Sequence, residues 1–146
     1  MKNPLYFISL LIISLLFILA YYFYPYLPDN IITHWGITGE PDGFSNKDGI
    51  FFMPFFTLVL YFILVFLPKI ILLCVPKEEY SKARGKEFEN IFSKFLIIFL
   101  LYMLYIFVWS LLWNLGLEIN TYVAIIPAMV IFLYITIRLF KDNKLK

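Results

Sequence analysis

Reactive side chains are scarce in this chain. A single cysteine, Cys74, stands among 146 residues, which excludes an intramolecular disulfide, a Cys-x-x-Cys redox pair and a cysteine-based zinc site within one chain. Set in Ile-Ile-Leu-Leu-Cys-Val, it reads as a small apolar side chain. There is one histidine, His34, and charged residues make up only 15% of the chain at a net charge of +2, so no nucleic-acid partner is expected. Polar surface is short as well: 62% of residues are hydrophobic, 21% are aromatic, and the mean hydropathy is +0.85. A soluble globule of about 150 residues buries only about two thirds of its unfolded surface, so the surplus apolar groups need lipid as solvent. A single membrane domain over residues 1–146 is the economical solution.

What is present is a series of long uncharged runs. The first, about 5–26, follows Lys2 and imitates a secretory signal, but it is long for one and ends in Tyr21-Tyr22-Phe23-Tyr24-Pro25-Tyr26, without a small-residue cleavage site. It is expected to stay as a first transmembrane helix, since roughly 20 residues at about 1.5 Å each cross a hydrocarbon layer of about 30 Å. Its tyrosines suit the headgroup level. A second span is expected over about 50–75, bent or ended by Pro68, with Lys69 snorkelling to the interface. Residues 76–94 form the longest charged stretch, with Phe88, Ile91, Phe92 and Phe95 at helical spacing, the pattern of a cytoplasmic amphipathic helix running into a third span at about 95–117. A fourth span at about 121–139, with Pro127 as a kink, leads to a tail at 140–146.

The expected fold class is therefore an all-α membrane protein: four transmembrane helices in an antiparallel bundle, with an extracytoplasmic cap loop at 27–49 between the first two. Lysine and arginine gather before span one, between spans two and three, and after span four, whereas the loop at 27–49 holds only Lys47. The positive-inside rule places both termini in the cytoplasm and that loop outside, in a cell (plasma) membrane.

That loop concentrates the polar residue types. Within 27–49 lie His34 and four of the six glycines, with Asp29, Glu40, Asp42 and Asp48. Pro28-Asp29 and Pro41-Asp42-Gly43 read as turns, and Ile31-Ile32-Thr33-His34-Trp35 as a short strand, giving a hairpin-like cap with Leu27, Ile31, Trp35 and Phe44 folded inward or dipping into the headgroups. One imidazole among carboxylates is a poor zinc site, and no loop has calcium-binding spacing, so neither metal nor cofactor is expected. His34 is expected to bond within the cap, oriented by a carboxylate such as Asp29 or Asp42. Ser45 is the loop's only serine and lacks a Gly-x-Ser-x-Gly context, so the chain is not read as an enzyme. Within the spans only Lys69 and neutral groups such as Thr57, Ser110, Asn114 and Thr136 interrupt the hydrocarbon, thin support for a transport pathway. Asn114 and Glu118 are expected to bond the cap or a neighbouring helix.

The string Leu27-Pro28-Asp29-x-Ile31-x-x-His34-Trp35-x-x-x-Gly39-x-x-Asp42-Gly43-Phe44-x-x-Lys47, just after the first span, resembles the DUF1648 domain, the N-terminal part of SdpI-like membrane proteins. The resemblance covers about the first third of the chain. Ile32 stands where that pattern usually has a second proline, and the further multi-span region of longer members, with its Gly-x-Arg-type motif, has no counterpart here. The resemblance implies a prokaryotic integral membrane protein, with roles in immunity to a secreted toxic peptide or in signalling through a sequestered cytoplasmic regulator. On this reading Asp29, His34, Trp35, Glu40, Asp42 and Lys47 meet a peptide, a lipid headgroup or a membrane-protein partner, while Pro28, Gly39, Gly43 and Phe44 shape the loop. The other reading is a small transporter or channel-like subunit. Membrane lipids are partners on either reading, and the oligomeric state is left open.

Overall fold

The computed structural model describes residues 4–74 and 82–143, with side chains described at 5–67, 70, 92–131, 133 and 134. The expectations for Lys2, Pro68, Lys69, Cys74, Phe88, Ile91 and the basic residues from Arg138 onward concern side chains outside that set.

The described residues form four α-helices and one hairpin, joined in part by 3-10 turns: α1 (Pro4–Phe23), β1 (Asn30–Trp35), β2 (Pro41–Asn46), α2 (Phe52–Cys74), α3 (Lys82–Asn114) and α4 (Thr121–Asn143). Among the described residues, three segments are long and apolar enough to cross a membrane: Leu5–Tyr26, Lys47–Leu67 and Phe92–Asn114, with mean hydropathies of 2.4, 2.6 and 2.6. The expected fourth span is represented among the described residues by a shorter apolar stretch, Thr121–Ile131.

Local sequence explains where the helices begin and end. Pro4 opens α1, where an N–H has no helical partner to lose. Pro25 stops it, and the chain tightens into a single 3-10 turn at Tyr24–Tyr26. At the far end of α3 the chain stops at Asn114, three residues before the expected boundary at 117. Gly116 takes φ of 88°, its N–H donates to the Trp113 carbonyl, and Leu117 N–H donates to the Leu112 carbonyl, the paired bonds of a glycine-terminated helix. Asn120 then caps α4 by accepting from the Tyr122 N–H at 2.9 Å. The charged segment from Lys82 is continuous with the third span, so α3 is 33 residues and about 50 Å long, well beyond a hydrocarbon layer of about 30 Å.

α3 is the central element, touching α1, α2, α4 and β1. One core cluster joins Leu16 and Ala20 of α1 to Phe107 and Leu111 of α3, with Leu27, Ile31 and Ile50 from the hairpin region sealing it. A second, further from the hairpin, packs Ile12 and Ile13 with Tyr61, Leu96 and Leu100. Large side chains on the outer faces, such as Phe7, Ile18, Val59 and Leu101, are more than half exposed, as lipid-facing residues are.

Pro127 lies inside α4. It has no N–H to give the Val123 carbonyl one turn earlier, and the Tyr105 hydroxyl of α3 donates to that carbonyl at 2.6 Å instead. Tyr102 reaches the next carbonyl, Ala124, at 3.3 Å. Tyr105→Phe is therefore expected to cost about 0.5–1.5 kcal/mol. The same change in a Pro127→Ala background, where residue 127 regains its N–H, should cost less. Equal losses in the two backgrounds, measured by unfolding in detergent, would refute this division of labour.

Candidate functional site

Strands β1 and β2 pair antiparallel, and the reversal between them is made by Gly36–Gly39. Gly39 N–H donates to the Gly36 carbonyl at 2.9 Å and Gly36 N–H to the Glu40 carbonyl at 2.8 Å. Gly39 has φ of 87°, a left-handed conformation that glycine adopts without strain. Pro41-Asp42-Gly43, read from sequence as a turn, instead opens the second strand. Proline is tolerated at a strand's first residue, and the two upstream glycines supply the reversal.

The pairing is irregular on both sides of His34, which stands opposite Gly43. A Cβ at position 43 would lie 2.7 Å from the His34 Cβ, so only glycine lets the strands approach here. The same geometry brings His34 Nδ1 into hydrogen-bond contact with Asp42 Oδ1. Of the two carboxylates expected to orient the imidazole, Asp42 is the one that does. The pair is open to solvent, with side chains 71% and 51% exposed, so its value lies in presentation rather than stability.

The hairpin is fastened to α3 through its backbone. Asn114, 8% exposed, accepts from Ile32 N–H at 2.7 Å and donates to the Ile32 carbonyl at 3.0 Å, pairing with β1 much as another strand would. It also donates to the Ser110 carbonyl at 2.9 Å, which fixes its rotamer. A second attachment joins the turn to α4: the Thr121 hydroxyl donates to the Gly39 carbonyl at 2.9 Å. A third is aromatic. Trp35 packs against Trp109 with ring centroids 4.5 Å apart, and against Trp113 at 6.0 Å. Trp113 donates its indole N–H to the Ile119 carbonyl at 2.6 Å, bracing the connection between α3 and α4.

The six residues assigned to recognition therefore divide. Trp35 faces inward and holds the hairpin to α3. His34 and Asp42 form an exposed pair, and Asp29 and Glu40 are exposed near it in sequence. Lys47 donates its backbone N–H to the Asp29 carbonyl at 2.9 Å and sets its ammonium 5.0 Å from the centre of the Tyr24 ring. That ring's hydroxyl donates to Asp48 at 2.6 Å. Of the four side chains expected to fold inward or dip into the headgroups, Leu27 and Ile31 are buried, Trp35 is half-buried and Phe44 is 64% exposed. Trp109, Trp113, Thr121 and Tyr24 were not singled out from sequence. The spacing of the two tryptophans by four, ending beside Asn114, is the signal that could have found them.

Among the described residues no three histidine, cysteine or acidic side chains gather in a way that could hold a metal ion. Five exposed carboxylates, Asp29, Glu40, Asp42, Asp48 and Glu118, stand against Lys47 in the hairpin and the two connections around it.

A hairpin fastened to long apolar helices defines a multi-pass membrane protein with one ordered polar element. Residues 11–58, which run from α1 through the whole hairpin into α2, match the family model of DUF1648, a domain of unknown function. No curated protein and no solved structure matches the chain.

Proposed function

We propose that the chain is a non-enzymatic, four-span plasma-membrane protein that recognises a cationic peptide through its hairpin. Both termini lie in the cytoplasm and the hairpin lies outside, an orientation supported by the distribution of lysine and arginine. The observation that carries the reading is the exposed acidic face around His34 and Asp42, on a hairpin held to α3 by Asn114. Such a face attracts cations at long range and meets them in a fixed geometry. The DUF1648 match at 11–58 and the resemblance to SdpI-like proteins support an immunity role, with signalling to a cytoplasmic regulator through the charged end of α3 as its extension.

Cells expressing the His34→Ala, Asp42→Ala double variant and challenged with a cationic membrane-active peptide test this. Protection is expected to fall several-fold relative to the parent chain at equal membrane insertion. Unchanged sensitivity in the inserted variant would overturn the reading.

A further inference from the structure

Below β1 the helices enclose a cavity of about 450 Å³, within the range of small-ligand sites. Helices α2 and α4 both lean on α3, and the space lies between them. Its deeper wall is purely apolar, formed by Phe56 of α2 and by Met103 and Ile106 of α3. At the hairpin end the lining changes to Ser110, Thr121, Thr33 and His34. Phe56 and Ile125 line it while remaining 46% and 45% exposed, so it opens sideways from the protein. Phe56, Met103 and Ile106 belong to the candidate membrane spans, so the medium at that opening is lipid.

Two further features concern polar groups. Trp109 and Trp35 line the hairpin end, and neither buried indole N–H has a hydrogen-bond partner within the protein. Trp109 is only 5% exposed, and a buried indole N–H ordinarily finds an acceptor. The cavity thus has one end lined by hydroxyl and imidazole side chains and another lined by apolar side chains alone.

We propose that one acyl chain of a membrane phospholipid occupies this cavity, with its ester region level with Ser110, Thr121 and the tryptophans, and its headgroup beside the hairpin. The polarity gradient follows that of a lipid oriented in its leaflet, the headgroup toward the hairpin and the chain toward Met103. This site is separate from the acidic hairpin face and stands whether or not that face binds a peptide.

The test uses the full chain in phosphatidylethanolamine–phosphatidylglycerol vesicles containing a small fraction of phosphatidylcholine with a photoactivatable diazirine in one acyl chain. After irradiation, adducts are mapped by peptide mass spectrometry. Adducts at Met103 and Ile106 are expected to exceed those at Phe7 and Ile18, exposed residues on α1, by several-fold. Filling the cavity by Ala124→Leu or by Ile125→Trp should reduce the Met103 and Ile106 adducts to the α1 level while leaving those on α1 unchanged. The proposal is overturned if the unaltered chain labels Met103 and Ile106 no more than α1, or if both folded, filled variants keep the enrichment. If neither variant inserts, the pattern in the unaltered chain decides.

Discussion

Asn114→Ala is expected to release the hairpin from the helices. The substitution removes the acceptor for the Ile32 N–H and the donor for the Ile32 carbonyl in one step, and the Ser110 carbonyl loses a donor as well. A buried backbone group left without a partner costs about 1–3 kcal/mol. Ile32 is half-buried, so water can satisfy part of the loss, and a total of about 2–4 kcal/mol follows. The helices should remain, because their core clusters are built from Leu16, Phe107, Leu100 and Tyr61, none of which contacts the substituted amide by a hydrogen bond. The measurement is hydrogen exchange at the Ile32 amide in detergent or nanodiscs. It should speed up at least about tenfold, since 1.4 kcal/mol is a factor of ten in an opening equilibrium. Protection that survives at Ile32 would mean that β2 and the aromatic contacts alone hold the strand.

The helical part of this architecture was legible because lipid solvation requires long uncharged runs, and such runs are visible in any sequence. Tyr21 to Tyr26 marked the end of α1, and Pro25 stands where the helix tightens into its 3-10 turn. The end of α3 was misjudged by three residues although Gly116 was in plain view. Hydropathy carries Leu115 and Leu117 on, whereas the backbone stops at the glycine. The hairpin shows a sharper limit. Ile31 to Trp35 announced a strand through its β-branched and aromatic residues, but Pro41-Asp42-Gly43 has the composition of a turn and forms the start of β2. Composition could not choose between two glycine-containing segments as the point of reversal. Pairing with β1 chose Gly36–Gly39, because Gly43 is needed where His34 passes closest.

The candidate site divides along the same line. That His34 would meet a nearby carboxylate followed from the charges in the loop, and a polar Asn114 near the end of a span called for a partner. Which carboxylate, and which backbone groups, depended on strand register, and register is set by contacts between distant segments. Trp35 illustrates the cost of reading a loop alone. A tryptophan in an outer loop suits a ligand contact equally well, and only α3, more than 70 residues later in sequence, brings Trp109 and Trp113 against it.

That position makes Trp35→Ala the second severe substitution. It removes the indole from two aromatic contacts worth about 0.5–1.5 kcal/mol each and exposes apolar surface of Trp109, for a total of about 2–4 kcal/mol. The informative experiment combines it with Asn114→Ala. Both residues tie the same strand to the same helix, so once either is lost the other holds a hairpin already partly released. The double variant should therefore lose about 1–2 kcal/mol less than the sum of the single losses. Simple additivity in unfolding measurements would show that the two attachments act on separate equilibria. Trp35→Ala also separates presentation from charge, because His34, Asp42 and every acidic group of the hairpin remain chemically intact. If recognition of a cationic peptide requires the acidic face to be held in place, protection should fall with Trp35→Ala much as it does with the His34 and Asp42 substitutions. Full protection in an inserted Trp35→Ala chain would mean that charge alone suffices, with the hairpin acting as a tethered acidic loop.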